Sequence, residues 1–312
     1  MKLKALLVAA IASVSFSALA QPTLNFIDAT QGAIELSKND DFMVRLSQFD
    51  MEARMKTIDH VSKPEFKRFI RQNTLDWTEQ DKAYVNQAYA ELQTELSKYP
   101  LNLPAQIKMI LTTGAEEGTA AYTRGTSIIL QRDKLTLGRE LKRIMAHEIF
   151  HLYTRHNPVK KDEMYNAIGF KYDGEIEFPD DLEDRKITNP DAPVNDYSIF
   201  ISHNQQPIWA MPILYSVSEK YDLEKGGEFF NYLLFKFLIV ADEHGNWTYD
   251  EDHPVIVDPS EVEGFYEQIG YNTNYTIHPE EILADNFALL ILNVTPVNSP
   301  ELLEKMKYIL LN

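Results

Sequence analysis

The chain has 312 residues, 44% of them hydrophobic and 25% charged, a globular composition able to bury a core, which excludes whole-chain disorder, collagen and coiled-coil arrays. Lys plus Arg number 30 against 47 Asp plus Glu, a net charge of −17 with no basic block, so nucleic acid and anionic membrane surfaces are poor partners. Cysteine is absent, which removes disulfides, thiolate metal sites and Cys nucleophiles together and leaves only His, Asp and Glu to hold a metal.

In chain order, Lys2 and Lys4 precede an apolar run from Ala5 to Ile11 that continues through small residues to Ala18-Leu19-Ala20. This pattern predicts a secretory signal peptide over residues 1–20, cut before Gln21. The run is shorter than the roughly 20 residues a spanning helix needs, so no stable membrane anchor is expected after cleavage. Losing the two lysines takes the charge from −17 to −19. An acidic, exported, Cys-free chain fits a bacterial periplasm or the external medium.

Residues 21–110 read as a helical N-terminal region and 111–312 as the main domain of an α+β protein. Asp40 to Met55 carries an imperfect helical stripe of Phe42, Val44, Leu46, Phe49, Met51 and Met55. Thr78 to Tyr99 is a cleaner helix: Thr78 and Asp81 suggest an N-terminal cap, Tyr84, Ala88, Leu92 and Leu96 recur every four residues, and Pro100 and Pro104 end it. Short strands are expected at Ile107 to Leu111 and Thr126 to Leu130, around a Gly-containing loop, and a helix at Arg139 to Arg155. The region up to about Met109 could be an inhibitory propeptide, although no dibasic site marks its end.

Next comes an acidic, Pro-containing stretch from Tyr172 to Asp196. Asp173, Glu175, Glu177, Asp180, Asp181, Glu183 and Asp184 could hold Ca²⁺, but their spacing is not that of an EF-hand loop, and a solvated surface loop is the plainer reading. Strands are expected at Tyr197 to Ser202, Ile208 to Val217 and Phe229 to Val240, the last turning through Gly245-Asn246 so that Trp247 starts a return arm; a core helix is the competing reading of that run. Pro279 to Leu292 has the marks of a helix, with Pro at its first position and acids in the first turn, and a short helix over Glu301 to Leu311 closes the chain. There is no internal repeat.

His147-Glu148-Ile149-Phe150-His151 is an HExxH sequence in helical context, RELKRIMAHEIFHLYTR. Positions i and i+4 lie about 40° apart on a helix, so the two imidazoles can converge on one ion, with Glu148 near enough to reach the water that ion would activate. Leu141, Met145, Ile149 and Leu152 fall on the opposite face, for the core. An extended HExxHxxGxxH pattern is ruled out because Thr154 and Asn157 stand where Gly and His are needed, and His156 lies about 140° round from His151. Glu281 and Asp285, another i,i+4 pair, sit on the second helix: a Glu281 carboxylate completes a His₂Glu set with one open position, and Asp285 can accept the free ring N–H of a ligating histidine. Glu280 is the competing ligand.

At these residues the sequence resembles the gluzincin, thermolysin-like group of zinc metallopeptidases, whose second helix carries Glu-x-x-x-Asp followed by an aromatic, here Phe287. The likeness covers two short helices, and the roughly 130 residues between them exceed the link in thermolysin relatives, so it reaches the clan's site and not that family. It implies a zincin-like fold, Zn²⁺ on His147, His151 and Glu281, Glu148 as general base and then acid, and Asp285 as partner of a ligating histidine, His147 being the expected one. It also implies a strand edge ahead of the HExxH helix, at Ala120 to Thr123 or Thr126 to Leu130, and an oxyanion donor, for which Tyr275 and His278 are first candidates and Tyr271, Tyr215 and His203 stand behind them. His60, His244 and His253 have no partner pattern and read as surface. The expected function is an exported zinc metallopeptidase acting on peptides or proteins; the alternative is an exported zinc-binding or interaction protein without turnover.

Overall fold

The computed structural model describes residues 22–243 and 246–312, so the expected signal peptide and the His244-Gly245 turn lie outside the described residues. The chain begins with β1 (Thr23–Phe26), then α1 (Ala29–Leu36), α2 (Asp41–Arg45), α3 (Gln48–Met55), α4 (Lys63–Asn73), β2 (Thr74–Leu75) and α5 (Glu79–Leu96). The single helix expected from Asp40 to Met55 is two: Leu46 turns extended, and Ser47 starts α3 with a reciprocal cap, its side chain accepting from the Asp50 N–H while Asp50 accepts from the Ser47 N–H. That local pairing satisfies two helix-terminal donors and overrides a weak apolar stripe. The expected Thr78–Asp81 cap on α5 is present in the same reciprocal form.

There follow β3 (Gln106–Thr112), β4 (Tyr122–Arg124) and β5 (Ser127–Gln131), which assemble with β1 and β2 into one sheet of order β1-β3-β5-β4, with β2 beside β1 on the outer side of β3. β1, β3 and β5 are parallel and β4 runs antiparallel to β5. The expected division at residue 110 falls inside β3, and the N-terminal β1 pairs directly with that strand, so residues 21–110 are built into this sheet rather than set apart from it.

The helix α6 (Arg139–His156) crosses this sheet, with α7 (Pro158–Ala167) after it. Leu141, Met145, Ile149 and Leu152 are buried in one core with Ile107, Met109, Leu111, Ile128 and Leu130, as the helical period requires. After β6 (Phe170–Tyr172) the acidic stretch holds only the one-turn α8 (Asp180–Glu183). Its Ile176, Phe178 and Leu182 cover a face of the second sheet, against Met211, Ile213, Leu238 and Val240.

That second sheet is antiparallel: β7 (Tyr197–His203), β8 (Gln206–Ser216), β9 (Leu233–Glu243), β10 (Asn246–Thr248), β11 (Ile256–Val257) and β12 (Val262–Glu263), in the order β10-β9-β8-β7-β12 with β11 on β9 and β6 on β7. The expected hairpin forms, Trp247 facing Asp242. Phe229 to Tyr232 form a 3₁₀ turn instead of the start of the strand, which frees Phe229 and Phe230 for a cleft wall. The chain ends with α9 (Phe265–Ile269), α10 (Pro279–Ile291) and α11 (Pro300–Leu311). α10 packs on α6, Phe287 meeting Phe150 at 5.5 Å, and this places the Glu281 turn beside the HExxH turn. No helix among the described residues is long and apolar enough to cross a membrane.

Candidate metal centre

α6 presents His147 and His151 one turn apart, their rings 4.7 Å between centroids and nearly perpendicular. His147 Nε2 lies 3.0 Å and His151 Nε2 3.8 Å from Glu281 Oε2 on α10. A ligand atom of each of the three lies within 4.8 Å of the other two. The second Glu281 oxygen, Oε1, accepts a 2.7 Å bond from the side-chain amide of Asn189, which leaves Oε2 facing the histidines. Among the described residues the other three-member group, Glu148, His151 and Asp191, adjoins the same spot, and the seven acids of the 173–184 stretch form no such group.

Each imidazole is backed by a carboxylate on its far nitrogen. His147 Nδ1 lies 3.0 Å from Asp285 Oδ1, the partner the sequence suggested. Asp285 also accepts from Arg143 Nη1 at 3.1 Å and from the Thr273 hydroxyl at 2.6 Å. His151 Nδ1 lies 3.0 Å from Glu280 Oε1. Glu280, weighed from sequence as a rival ligand, instead spends both oxygens behind His151: Oε1 also accepts from Thr154 Oγ1 at 2.5 Å, and Oε2 accepts from the Tyr165 hydroxyl. In the neutral rings such pairing puts the proton on Nδ1 and leaves Nε2 of both as the lone-pair side.

Two buried atoms here have no hydrogen-bond partner, His151 Nε2 and Glu148 Oε2. Orphaned polar atoms are costly in an interior and mark a place reserved for something else. The electrostatics agree. Burial works against a charged His147, yet Asp285 and Glu281 outweigh it and hold the imidazole well above its usual range. Burial likewise opposes a charged His151, which Asp191 and Glu281 push the other way. Burial raises Glu148 to about 8, with the nearby Asp191 adding to it. Carboxylates so arranged around two imidazoles attract a cation, and a set of two nitrogens and one oxygen with an open side fits Zn²⁺.

The centre opens into a cleft of about 420 Å³. One wall is α6 from Glu140 to Glu148, another the loop Glu117 to Tyr122, the third a strap from Ile187 to Asp191, and the apolar end is made by Leu214, Phe229, Phe230, Leu233 and Ile277. Gly118, at φ +56, lies against the rings of Phe229 and Phe230 at 3.1–3.2 Å from where a Cβ would stand, so the loop and the apolar end touch only because no side chain intervenes. The sheet edge beside the cleft is β4, one of the two segments expected from sequence; β5 is interior.

The oxyanion candidates separate. Tyr275 lines the cleft and is exposed there, which leaves its hydroxyl open to a bound substrate. His278 is the N-cap of α10: its Nδ1 accepts the Glu280 N–H at 3.1 Å, and burial lowers its pKa to about 4. A neutral ring whose Nδ1 accepts a helix-terminal bond is a fold element, and His278 is not a wall of the cleft. Tyr271 stacks on Tyr266, Tyr215 lies under Arg185, and His203 sits beside Asn204 at the end of β7, all away from the centre. His60 and His253 are exposed, as expected, and His244 lies outside the described residues.

Asn189 and Asp191 also belong to the site, through Glu281 and Thr123. Asp191 Oδ1 accepts from the Thr123 N–H at 2.8 Å and its hydroxyl at 2.6 Å, and its own N–H donates to Asn189 Oδ1 at 2.9 Å. Asn189-Pro190-Asp191 has only the signature of a turn, so no local pattern could have pointed to it. Neither a protein-family model, a curated protein nor a solved structure matches this chain.

Proposed function

We propose that this chain is a zinc-dependent metallopeptidase of gluzincin type. The observation that carries the reading is the convergence of His147 Nε2, His151 Nε2 and Glu281 Oε2 beside a buried, unpartnered Glu148 oxygen at the floor of an open cleft. Zn²⁺ bound there supplies a Lewis acid that polarises a carbonyl and makes water acidic near neutral pH. Glu148 takes the proton of the attacking water and returns it to the departing nitrogen, a role suited to a carboxylate whose pKa burial has raised. Asp285 and Glu280 hold the two imidazoles in place, Asn189 turns Glu281, and Tyr275 donates to the oxygen that becomes anionic. The apolar end of the cleft takes an apolar side chain of the substrate. The basic and apolar run at the start of the chain supports export to a bacterial periplasm or beyond.

The test pairs wild type with Glu148→Gln. Both should carry close to one zinc, removable by chelation, while hydrolysis of an unbiased peptide library falls about 10²-fold to 10⁴-fold in the variant. Equal activity in the two proteins overturns the mechanism. Bound zinc with no hydrolysis by wild type overturns the peptidase reading in favour of a zinc-binding protein without turnover.

A further inference from the structure

The strap that the sequence did not reveal closes one end of the cleft, and it closes it with a carboxylate. β4 is the free edge of its sheet, and although Thr123 stands opposite Ile128 on β5, its N–H points away from that strand. That outward donor is already taken by Asp191. A peptide laid along β4 can therefore extend past Ala120 and Ala121, which line the cleft, but not past Thr123. Behind the strap is a second cavity of about 280 Å³, which shares Pro190 and Asp191 as walls, so the obstruction is one strand of chain thick.

The strap is pinned on both sides. Thr188 N–H donates to the buried Asp50 carboxylate at 3.1 Å, and Thr188 O accepts from Arg54 Nη2 at 3.1 Å. Asn189 donates to Glu281, and Arg155 reaches the Thr123 hydroxyl at 2.9 Å and Asp191 O at 3.4 Å. These ties make the closed end a fixed stop.

We infer that the enzyme is an aminopeptidase, with Asp191 receiving the free α-ammonium of the substrate and one residue released per turnover. This rests on the peptidase reading above and sharpens it. Charge decides which end of a peptide meets the stop: the Asp191 carboxylate lines the cleft with Glu148 and Glu281, Arg155 holds the strap from the second cavity, and the cleft's own cations, Arg143 and Lys134, are paired with Glu140, Asp285 and Asp133, so on the cleft side an α-carboxylate is repelled and an ammonium attracted. The corresponding peptide direction is antiparallel to β4, the commoner pairing. Distance sets the number of residues. A carboxylate oxygen of Asp191 lies within 4.8 Å of a ring nitrogen of His151 and an oxygen of Glu148. From an α-nitrogen to the carbonyl carbon of the same residue is about 2.5 Å, and to the next carbonyl about 6 Å. An amine seated on Asp191 therefore brings the first peptide bond, and not the second, to Glu148. In the step the first C–N bond breaks, the water oxygen joins the acyl carbon, and the water proton passes through Glu148 to the freed nitrogen.

The experiment uses the zinc-loaded protein and matched peptides with free or N-acetylated termini. Free peptides should lose single residues from the N-terminus, and acetylation should lower kcat/KM by about 100-fold or more, the range for removing one partner of a buried charge pair. Asp191→Asn should erase most of that difference. Binding gives a second readout without turnover: Glu148→Gln should bind leucinamide more tightly than N-acetyl-leucinamide, measured by calorimetry. Internal cleavage that is indifferent to acetylation, or equal binding of the two amides, overturns the aminopeptidase assignment and leaves the peptidase reading standing. Zinc bound with no hydrolysis of either series removes both.

Discussion

Two buried charged clusters lie back to back across one wall of the cleft, and they are finished differently. In the first, Arg54 is about 1% exposed and all five of its N–H donors are spent. Nε and Nη2 form a fork on Glu117 at 3.0 and 2.6 Å, Nη1 reaches Asp50 Oδ1 at 2.5 Å and Asp50 O at 3.3 Å, and Nη2 also reaches Thr188 O. The guanidinium lies over the Phe229 ring at 4.1 Å, and Glu117 and Asp50 hold its pKa above the usual value against the pull of burial. In the second cluster, the outer side of each imidazole is fully engaged while the inner side leaves His151 Nε2 and Glu148 Oε2 with no partner. A closed network of buried charge fixes chain segments; an open one keeps lone-pair atoms free for a ligand. The closed cluster also serves the open one, since Glu117 and Thr188 are walls of the cleft.

The largest effect expected from this contrast is on the closed side. Arg54→Met leaves Asp50 and Glu117 buried without their cation and unpins Thr188, so unfolding in denaturant should show a loss of about 3–5 kcal/mol. A loss below about 1 kcal/mol would mean that the network is incidental to the fold. Next in size are the two carboxylates that close the outer half of the open cluster. Glu280→Gln and Asp285→Asn should each weaken zinc by about 10-fold to 100-fold in competition with a chelator. The Glu280 change should be the larger, because Glu280 is buried and accepts from His151, Thr154 and Tyr165, so an amide must turn its NH₂ toward a donor. Asp285 is partly open and shared with Arg143. Affinities equal to wild type in both variants would separate these groups from the metal. The smallest effect belongs to the open side itself: in zinc-free protein, Glu148→Gln replaces a buried, unpartnered carboxylate by a neutral isostere. Its melting midpoint should stay level or rise by a few degrees, on the order of 1 kcal/mol. A fall as large as that of Arg54→Met would erase the distinction between the two clusters.

What the sequence determined is what repeats within one helix turn. HExxH and Glu281-x-x-x-Asp285 put their side chains on single faces by the 3.6-residue period, the α5 cap is written in Thr78 and Asp81, and the buried stripe of α6 follows the same period. Glu280 and His278 were visible in that segment but their roles were not, because the period gives a direction on the helix and not the neighbour lying there. Only the tertiary structure decided that Glu280 backs His151, that His278 caps α10, and that residues before 110 supply strands to the sheet beneath α6. The same holds for the strap. Asn189 meets Glu281 across 92 positions and Asp191 meets Thr123 across 68, separations over which no local spacing carries information. Those contacts exist because two sheets and two helices are packed around them, and they decide how the cleft ends.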